Sequence, residues 1–269
     1  MTKATTVWCL GDSLTEGYSV SGGGGWGGLV LLPYADGLEE ASGGLLRGVA
    51  TGYSGKRTDF LLRHAVNAFE SVKDAEPRIL SLLCGTNDLA QFRRTCVWSS
   101  GDDDDNGEES QATEADQMHR FNASIVAALV QCIDQCLGLM VKAHVSGDGN
   151  DDDDSTGRHL HGVVLMTVPP LGASLLKHTE VWRQAAALRA DINAQIREAA
   201  ARYTRARVVV LDAAAVLGTT AIDGVDESFD GLCIRPEYDC GDGLHMSEAG
   251  YKALGRAVAE AAAALLPSS

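Results

Sequence analysis

The chain is short of basic residues, of long apolar runs and of paired cysteines, and each shortage excludes something. Lys and Arg number 22 against 37 Asp and Glu. Phosphate contacts need clustered cations, so a nucleic-acid-binding role is not expected. No apolar run approaches the ~20 residues that a membrane-spanning helix needs, so membrane insertion is not expected. Met1 to Leu10 holds one Lys and only a short apolar patch, and no signal peptide is read there. The seven Cys (9, 84, 96, 132, 136, 233 and 240) form no CxxC pair, so no zinc site is expected. An odd, scattered set suits free thiols in a reducing cytosol, and a cytoplasmic location is the expectation. Cys132 and Cys136 fall on the apolar stripe of a helix and read as core. Cys233 and Cys240 could bridge a late loop.

What is present is ordinary in bulk and unusual in charge. Hydrophobic residues at 45% and charged residues at 22% describe a soluble globular chain, and 269 residues suit one α/β domain. The formal net charge is −15. Residues 101–109 carry six acids and no base, and residues 147–154 carry five. Without these eleven charges the net is −4, so the acidity belongs to two low-complexity insertions, at about 99–113 and 146–158, in a single domain spanning 1–269. Asp102, Asp104, Asn106 and Gly107 match the start of a calcium loop, but its twelfth position is Thr113 where Glu is needed, and no metal is expected.

Short apolar runs alternate with amphipathic stretches. Strands are expected at Thr5–Leu10, Leu45–Thr51, Arg78–Leu83, Gly162–Val168 and Arg207–Leu211. Phe121, Ile125, Ala128, Cys132 and Leu139 share one helical face. Val181, Ala185, Leu188, Ile192 and Ile196 share another. Ser247 is a good N-cap for a last helix, with Met246 and Tyr251 placed as a hydrophobic staple. The alternation implies a parallel sheet covered on both faces. Ligands of such sheets bind beyond the carboxyl ends of the strands, so chemistry belongs in the strand-to-helix loops.

Those loops hold the reactive residues. Gly11–Gly17 (GDSLTEG) puts Ser13 just after the first strand; a Ser is a poor nucleophile until a base activates it. It is not the G-x-S-x-G elbow, since position 15 is Thr. Gly85–Asp88 (GTND) offers Asn87, whose amide is a neutral donor suited to a developing oxyanion. Asp242–His245 (DGLH) spaces a carboxylate and an imidazole so that the acid can hold one ring nitrogen and leave the other as a base. Thr51–Lys56 (TGYSGK) contains Gly55, whose N–H could face a ligand unobstructed. In chain order these are a nucleophile, donors, an orienting acid and a base, which together make a complete set for acyl transfer. Ser21–Gly28 is glycine-rich without a following Lys-Ser/Thr, so it is not a phosphate loop. Trp26 within it, and Trp182 after Pro169-Pro170, are candidate walls of a substrate pocket.

These motifs resemble the SGNH (GDSL) hydrolase superfamily. GDSLTEG is similar to its first block, the Gly55 turn to its second, GTND to its third and DGLH to its last. TGYSGKRTD, with PPLG after the fourth strand, is most similar to the arylesterase and acyltransferase branch. The second block departs from the pattern, with Thr51-Gly52 where the family often has Asn. The resemblance implies a flavodoxin-like three-layer α/β/α sandwich with a central parallel sheet of about five strands, and no cofactor. It implies Ser13 as nucleophile, His245 as base and Asp242 as its partner. The oxyanion hole would be the N–H groups of Ser13 and Gly55 with the Asn87 side chain, and Asp12 would anchor the first block. The implied partner is a small-molecule ester with a short acyl chain or an aryl group. An acyltransferase to alcohols, a lysophospholipase or thioesterase, a carbohydrate deacetylase and a catalytically silent binding module remain open at this point.

Overall fold

The computed structural model describes residues 3–20, 29–90, 114–145, 160–178, 180–219 and 233–267. Strands β1 (Thr5–Gly11), β4 (Leu46–Gly52), β5 (Ile79–Leu83), β6 (Gly162–Met166) and β7 (Val208–Leu211) form one sheet in the order β4-β1-β5-β6-β7. Every pairing within it is parallel. Two small antiparallel pairs join β2 (Tyr18–Val20) to β3 (Leu29–Leu31) and β8 (Gly218–Thr219) to β9 (Cys233–Ile234). The described helices are α1 (Ser13–Glu16), α2 (Leu38–Ala41), α3 (Thr58–Glu70), α4 (Glu114–Val145), α5 (Ala173–His178), α6 (Glu180–Arg202), α7 (Ala213–Leu217) and α8 (Glu248–Ala263). Residues 86–90 are also helical.

The period of two along each strand separates two cores. Trp8, Leu10, Leu80, Leu82, Val163 and Leu165 pack on one face with Leu61 and Phe69 of α3, Cys132 and Cys136 of α4 and Ile192 of α6. Val7, Cys9, Ile79, Leu83, Val164 and Met166 pack on the other with Leu38, Tyr251, Leu254 and Val258. The result is the three-layer α/β/α sandwich expected from the alternation. All five expected strands are present. The fourth stops at Met166 rather than Val168 because the Asn193 side chain takes over the ladder. Its Oδ1 accepts from Val168 N at 2.7 Å and its Nδ2 donates to Val168 O at 3.0 Å. That turns the chain into Pro169-Pro170.

Helix α4 departs from the expectation drawn from apolar run length. By length and composition it could cross a membrane, although polar residues such as Asn122, Gln131 and Asp134 interrupt every long apolar run. In this fold its stripe of Ile125, Leu129, Cys132, Ile133, Cys136 and Met140 lies in the core. Phe121 and Leu139 pack at the margin of that core, half-buried. Leu188, Ile192 and Ile196 of α6 are buried as expected, while the side chains of Val181 and Ala185 lie outside the described residues. The Ser247 side chain accepts from Gly250 N, and Met246 and Tyr251 are both buried beside it. No disulfide joins Cys233 and Cys240: Cys233 is buried in β9, whereas Cys240 sits in the loop before α8. The two acidic insertions lie outside the described residues.

The strand order places the site. Counting only the main sheet, the chain goes from β1 to one side for β4, then crosses back to lay down β5, β6 and β7. The order reverses between β1 and β5, and a crevice opens beyond their carboxyl ends at such a switch point. Ser13 follows β1 and Asn87 follows β5.

Candidate active site

The loop after β1 is built around close backbone approach. A Cβ at Gly11 would come within 2.1 Å of Leu83 O and 2.2 Å of Thr15 Oγ1, so no other residue fits without displacing β5. Asp12 then caps a single helical turn, its Oδ1 accepting from Leu14 N at 3.0 Å. Gly17, at φ +82, ends that turn in the left-handed conformation and returns its N–H to Ser13 O. Ser13 is thereby the first residue of a one-turn helix at the sheet edge, with 7% of its surface exposed.

The loop before α8 is held by its own carboxylates. Asp239 Oδ1 accepts from Gly241 N (2.7 Å) and Gly243 N (3.0 Å). Asp242 Oδ1 accepts from Leu244 N and His245 N, both at 2.8 Å, in an Asx turn. Gly172 N donates to Gly243 O at 2.7 Å and docks this loop on the Pro169–Gly172 loop. The second oxygen of Asp242 is then free to reach the ring of His245.

These constraints bring the expected residues together. His245 Nδ1 is 2.7 Å from Asp242 Oδ2, and His245 Nε2 is 3.1 Å from Ser13 Oγ. Burial would raise the Asp242 carboxyl, but the hydrogen bonds from the His245 ring and from the His245 and Leu244 backbone hold it well below the usual carboxylate range. Asp242 is therefore an anion facing Nδ1, which keeps the proton on that nitrogen and leaves Nε2 as the acceptor facing Ser13.

The Gly55 turn stands beside Asn87. Lys56 N donates to Tyr53 O at 3.1 Å, closing a four-residue turn with Gly55 third at φ +71. Ser54 precedes it without a positive φ, so this is a type II turn, which requires the left-handed conformation at that position. Ser54 N donates to Glu16 Oε2 at 3.0 Å, which ties the turn to α1. Asn87 Nδ2 donates one hydrogen to Lys56 O at 3.0 Å, leaving its second N–H uncommitted by that contact. Among the described residues, neither Ser13 N–H nor Gly55 N–H donates a hydrogen bond. Asp88 completes the frame by accepting from Thr58 N and Thr58 Oγ1, both at 3.0 Å, at the start of α3.

Sequence reasoning missed Tyr18. Its ring centroid lies 4.4 Å from that of His245 at an interplanar angle of 40°, and Tyr251 Oη donates to its carbonyl at 2.7 Å. The contact depends on how β2 folds over the loop before α8, and no local pattern announces it. Trp26 lies outside the described residues, as does the side chain of Trp182, so neither candidate pocket wall is located. Among the described residues, Asp239, Cys240 and Asp242 bring three metal-ligating atoms within 4.8 Å of one another. Their carboxylates are already engaged by the hydrogen bonds that shape the loop.

Asp12 carries a testable electrostatic consequence. It is fully buried, its Oδ2 has no partner, and desolvation pushes its carboxyl up to about 7, with the Asp88 charge adding to the shift and His245 opposing it. A folded pKa raised above the unfolded value of 3.8 means that the stability present below pH 3.8 is lost as pH rises through about 7. Asp12→Asn keeps a cap acceptor and removes the charge. It should raise the unfolding free energy at pH 8 by up to about 4 kcal/mol and change little at pH 4. Urea titrations at the two pH values check this; an equal effect at both would discard the buried charge as the cause.

A family model described as GDSL-like Lipase/Acylhydrolase family matches residues 9–253 of the chain. Among solved structures, the inhibitor-bound aryl esterase of M. smegmatis is 18% identical, with 98% of this chain and 100% of that one covered and a TM-score of 0.52. A lipase/acylhydrolase from Enterococcus faecalis is 17% identical over 98% and 99%, with a TM-score of 0.55. The lipase Lip_vut3 from a goat rumen metagenome is 16% identical over 96% and 97%, also at 0.55. At these identities the likeness is one of fold. No curated protein matches the chain.

Proposed function

The chain belongs to the GDSL-like lipase/acylhydrolase family, and from that premise we propose that it is a serine esterase hydrolysing small carboxylic esters through an acyl-enzyme on Ser13. The observation that supports this most directly is the unbroken relay from Asp242 Oδ2 through both nitrogens of His245 to Ser13 Oγ. In the proposed reaction His245 Nε2 takes the Ser13 proton as Oγ attacks the ester carbonyl. The N–H groups of Ser13 and Gly55 and the Asn87 amide receive the tetrahedral oxyanion. His245 then gives its proton to the departing alcohol. Water, deprotonated by the same nitrogen, attacks the acyl-enzyme and restores Ser13.

A small apolar cavity supports a short acyl group. It lies beside Asn87 and Leu244, is walled by Leu89, Val168, Pro169 and Leu171, and has a volume of about 30 Å³. That is room for a methyl-sized group.

Labelling by a fluorophosphonate tests the reading. Such a probe phosphonylates a serine only where a base activates it. Peptide mapping should find the adduct on Ser13, and p-nitrophenyl acetate should compete for it. Absence of labelling together with absence of ester turnover would make the chain a silent binding module instead.

A further inference from the structure

A second cavity also borders Asn87, and it shares no other lining residue with the first except Ala90. It is a groove of about 420 Å³ lined by Gly55, Lys56, Arg57, Asp59, Arg63 and Asn87, with Phe60 along one wall. Two of its lining residues are therefore proposed oxyanion donors, and three are cations within eight positions of one another. In a chain of net charge −15 this concentration runs against the average surface.

The cations are arranged rather than merely adjacent. Asp59 Oδ2 accepts from Arg63 at 2.9 Å and from Arg57 at 3.4 Å, so one carboxylate holds both guanidinium groups side by side. Lys56 Nζ sits 5.1 Å from the Phe60 ring centroid. The charge of Arg57 also acts on Asp88, which is buried beneath it. Counting Asp59, the groove rim still carries two positive charges in excess. Nothing lies within 4 Å of where a Gly55 side chain would be, so that face of the turn is unobstructed by the described residues.

Position assigns the groove to one part of the ester. The short acyl group has its cavity on the side of Asn87 that faces Leu244 and Pro169. An ester held with its oxyanion at Asn87 and its acyl group there has the second cavity bordering Asn87 left for its alcohol portion. We propose that the groove binds an anionic group, a carboxylate or a phosphate, on the alcohol portion of the substrate, and so makes this protein selective for anionic esters. This rests on the Ser13 esterase reading.

The test compares 4-acetoxybenzoate with neutral 4-acetoxybenzamide, two aryl acetates of one shape that differ in charge; 4-acetoxyphenyl phosphate replaces the carboxylate by a phosphate. At low salt the ratio of kcat/KM for anionic over neutral ester should be about 10, and it should fall as salt is raised. Arg63→Glu should lower the ratio about 10-fold, and Asp59→Asn, which releases two guanidinium groups, should raise it about 3-fold. A higher ratio for the phosphate than for the carboxylate would name phosphate as the preferred anion. A ratio unmoved by either substitution, or a charge preference seen only with the acid on the acyl side, as in mono-p-nitrophenyl glutarate, overturns the groove while leaving Ser13 chemistry intact. If the wild type cleaves none of these esters, the esterase reading fails, and calorimetric binding of 4-hydroxybenzoate then decides the groove alone: weaker binding by Arg63→Glu supports it and equal binding refutes it.

Discussion

Replacing Ser13 by Ala is expected to cut hydrolysis of p-nitrophenyl acetate by about 10⁵–10⁶ in kcat, to a level set by the remaining donors. The argument is geometric. Oγ is the atom within 3.1 Å of His245 Nε2, and Ala has nothing in its place to attack the carbonyl. The fold should survive, because the one-turn helix is capped by Asp12 and ended by Gly17, neither of which uses the Ser13 side chain. Far-UV circular dichroism and thermal melting should therefore match the wild type to within about 1 kcal/mol, the ordinary worth of one hydrogen bond. Some rate above water, about 10³-fold, should persist if the N–H groups of Ser13 and Gly55 and the Asn87 amide still receive the oxyanion. Undiminished turnover in this variant would remove Ser13 from the chemistry altogether.

Asp242→Asn should cost about 10⁴ in kcat with little change in KM. The carboxylate has two tasks on its two oxygens. Oδ1 accepts from Leu244 N and His245 N, and an Asn carbonyl can do the same, so the Asx turn should hold. Oδ2 faces His245 Nδ1 at 2.7 Å, and there Asn presents an NH₂ donor. Nδ1 must then accept, the ring proton moves to Nε2, and the nitrogen facing Ser13 can no longer take its proton. Stability and fluorophosphonate labelling separate the two tasks: a folded variant that labels slowly fits the tautomer argument. A variant that unfolds would show instead that the turn needs the anion. Because its hydrogen bonds hold Asp242 well below the usual carboxylate range, the wild-type residue stays ionised into strong acid, and the difference between wild type and Asn should persist across the acid range in which the protein stays folded.

Most of the fold and the heart of the candidate site follow from short-range signals. The period of two in residues 5–10 and 78–83 assigns alternate side chains to two cores, because successive strand residues point to opposite faces. Ser247 and the Asp242-x-x-His245 spacing are readable because caps and Asx turns satisfy backbone N–H groups two or three residues away. The topology rule then sends GDSLTEG, the Gly55 turn, GTND and DGLH to one sheet edge without any knowledge of distance.

The rest needed the tertiary structure, since it depends on partners far apart in the chain. Ser13 and His245 are separated by 232 positions, and their 3.1 Å contact exists because β1 and α8 converge on the switch point of the sheet. Tyr18 reaches His245 only because β2 folds over that edge. Lys56, Arg57 and Arg63 become the rim of a groove only where α3 meets Asn87. Asp12, which the resemblance makes an anchor of its block, becomes a desolvated carboxyl only where the fold excludes water from it. The amino-acid sequence by itself thus determined the layers and the strand edges, which follow from local hydrogen bonding and periodicity, and its motifs named the candidate reacting groups. The tertiary structure alone decided distances, burial and the electrostatic setting, because those depend on which distant segments share one crevice.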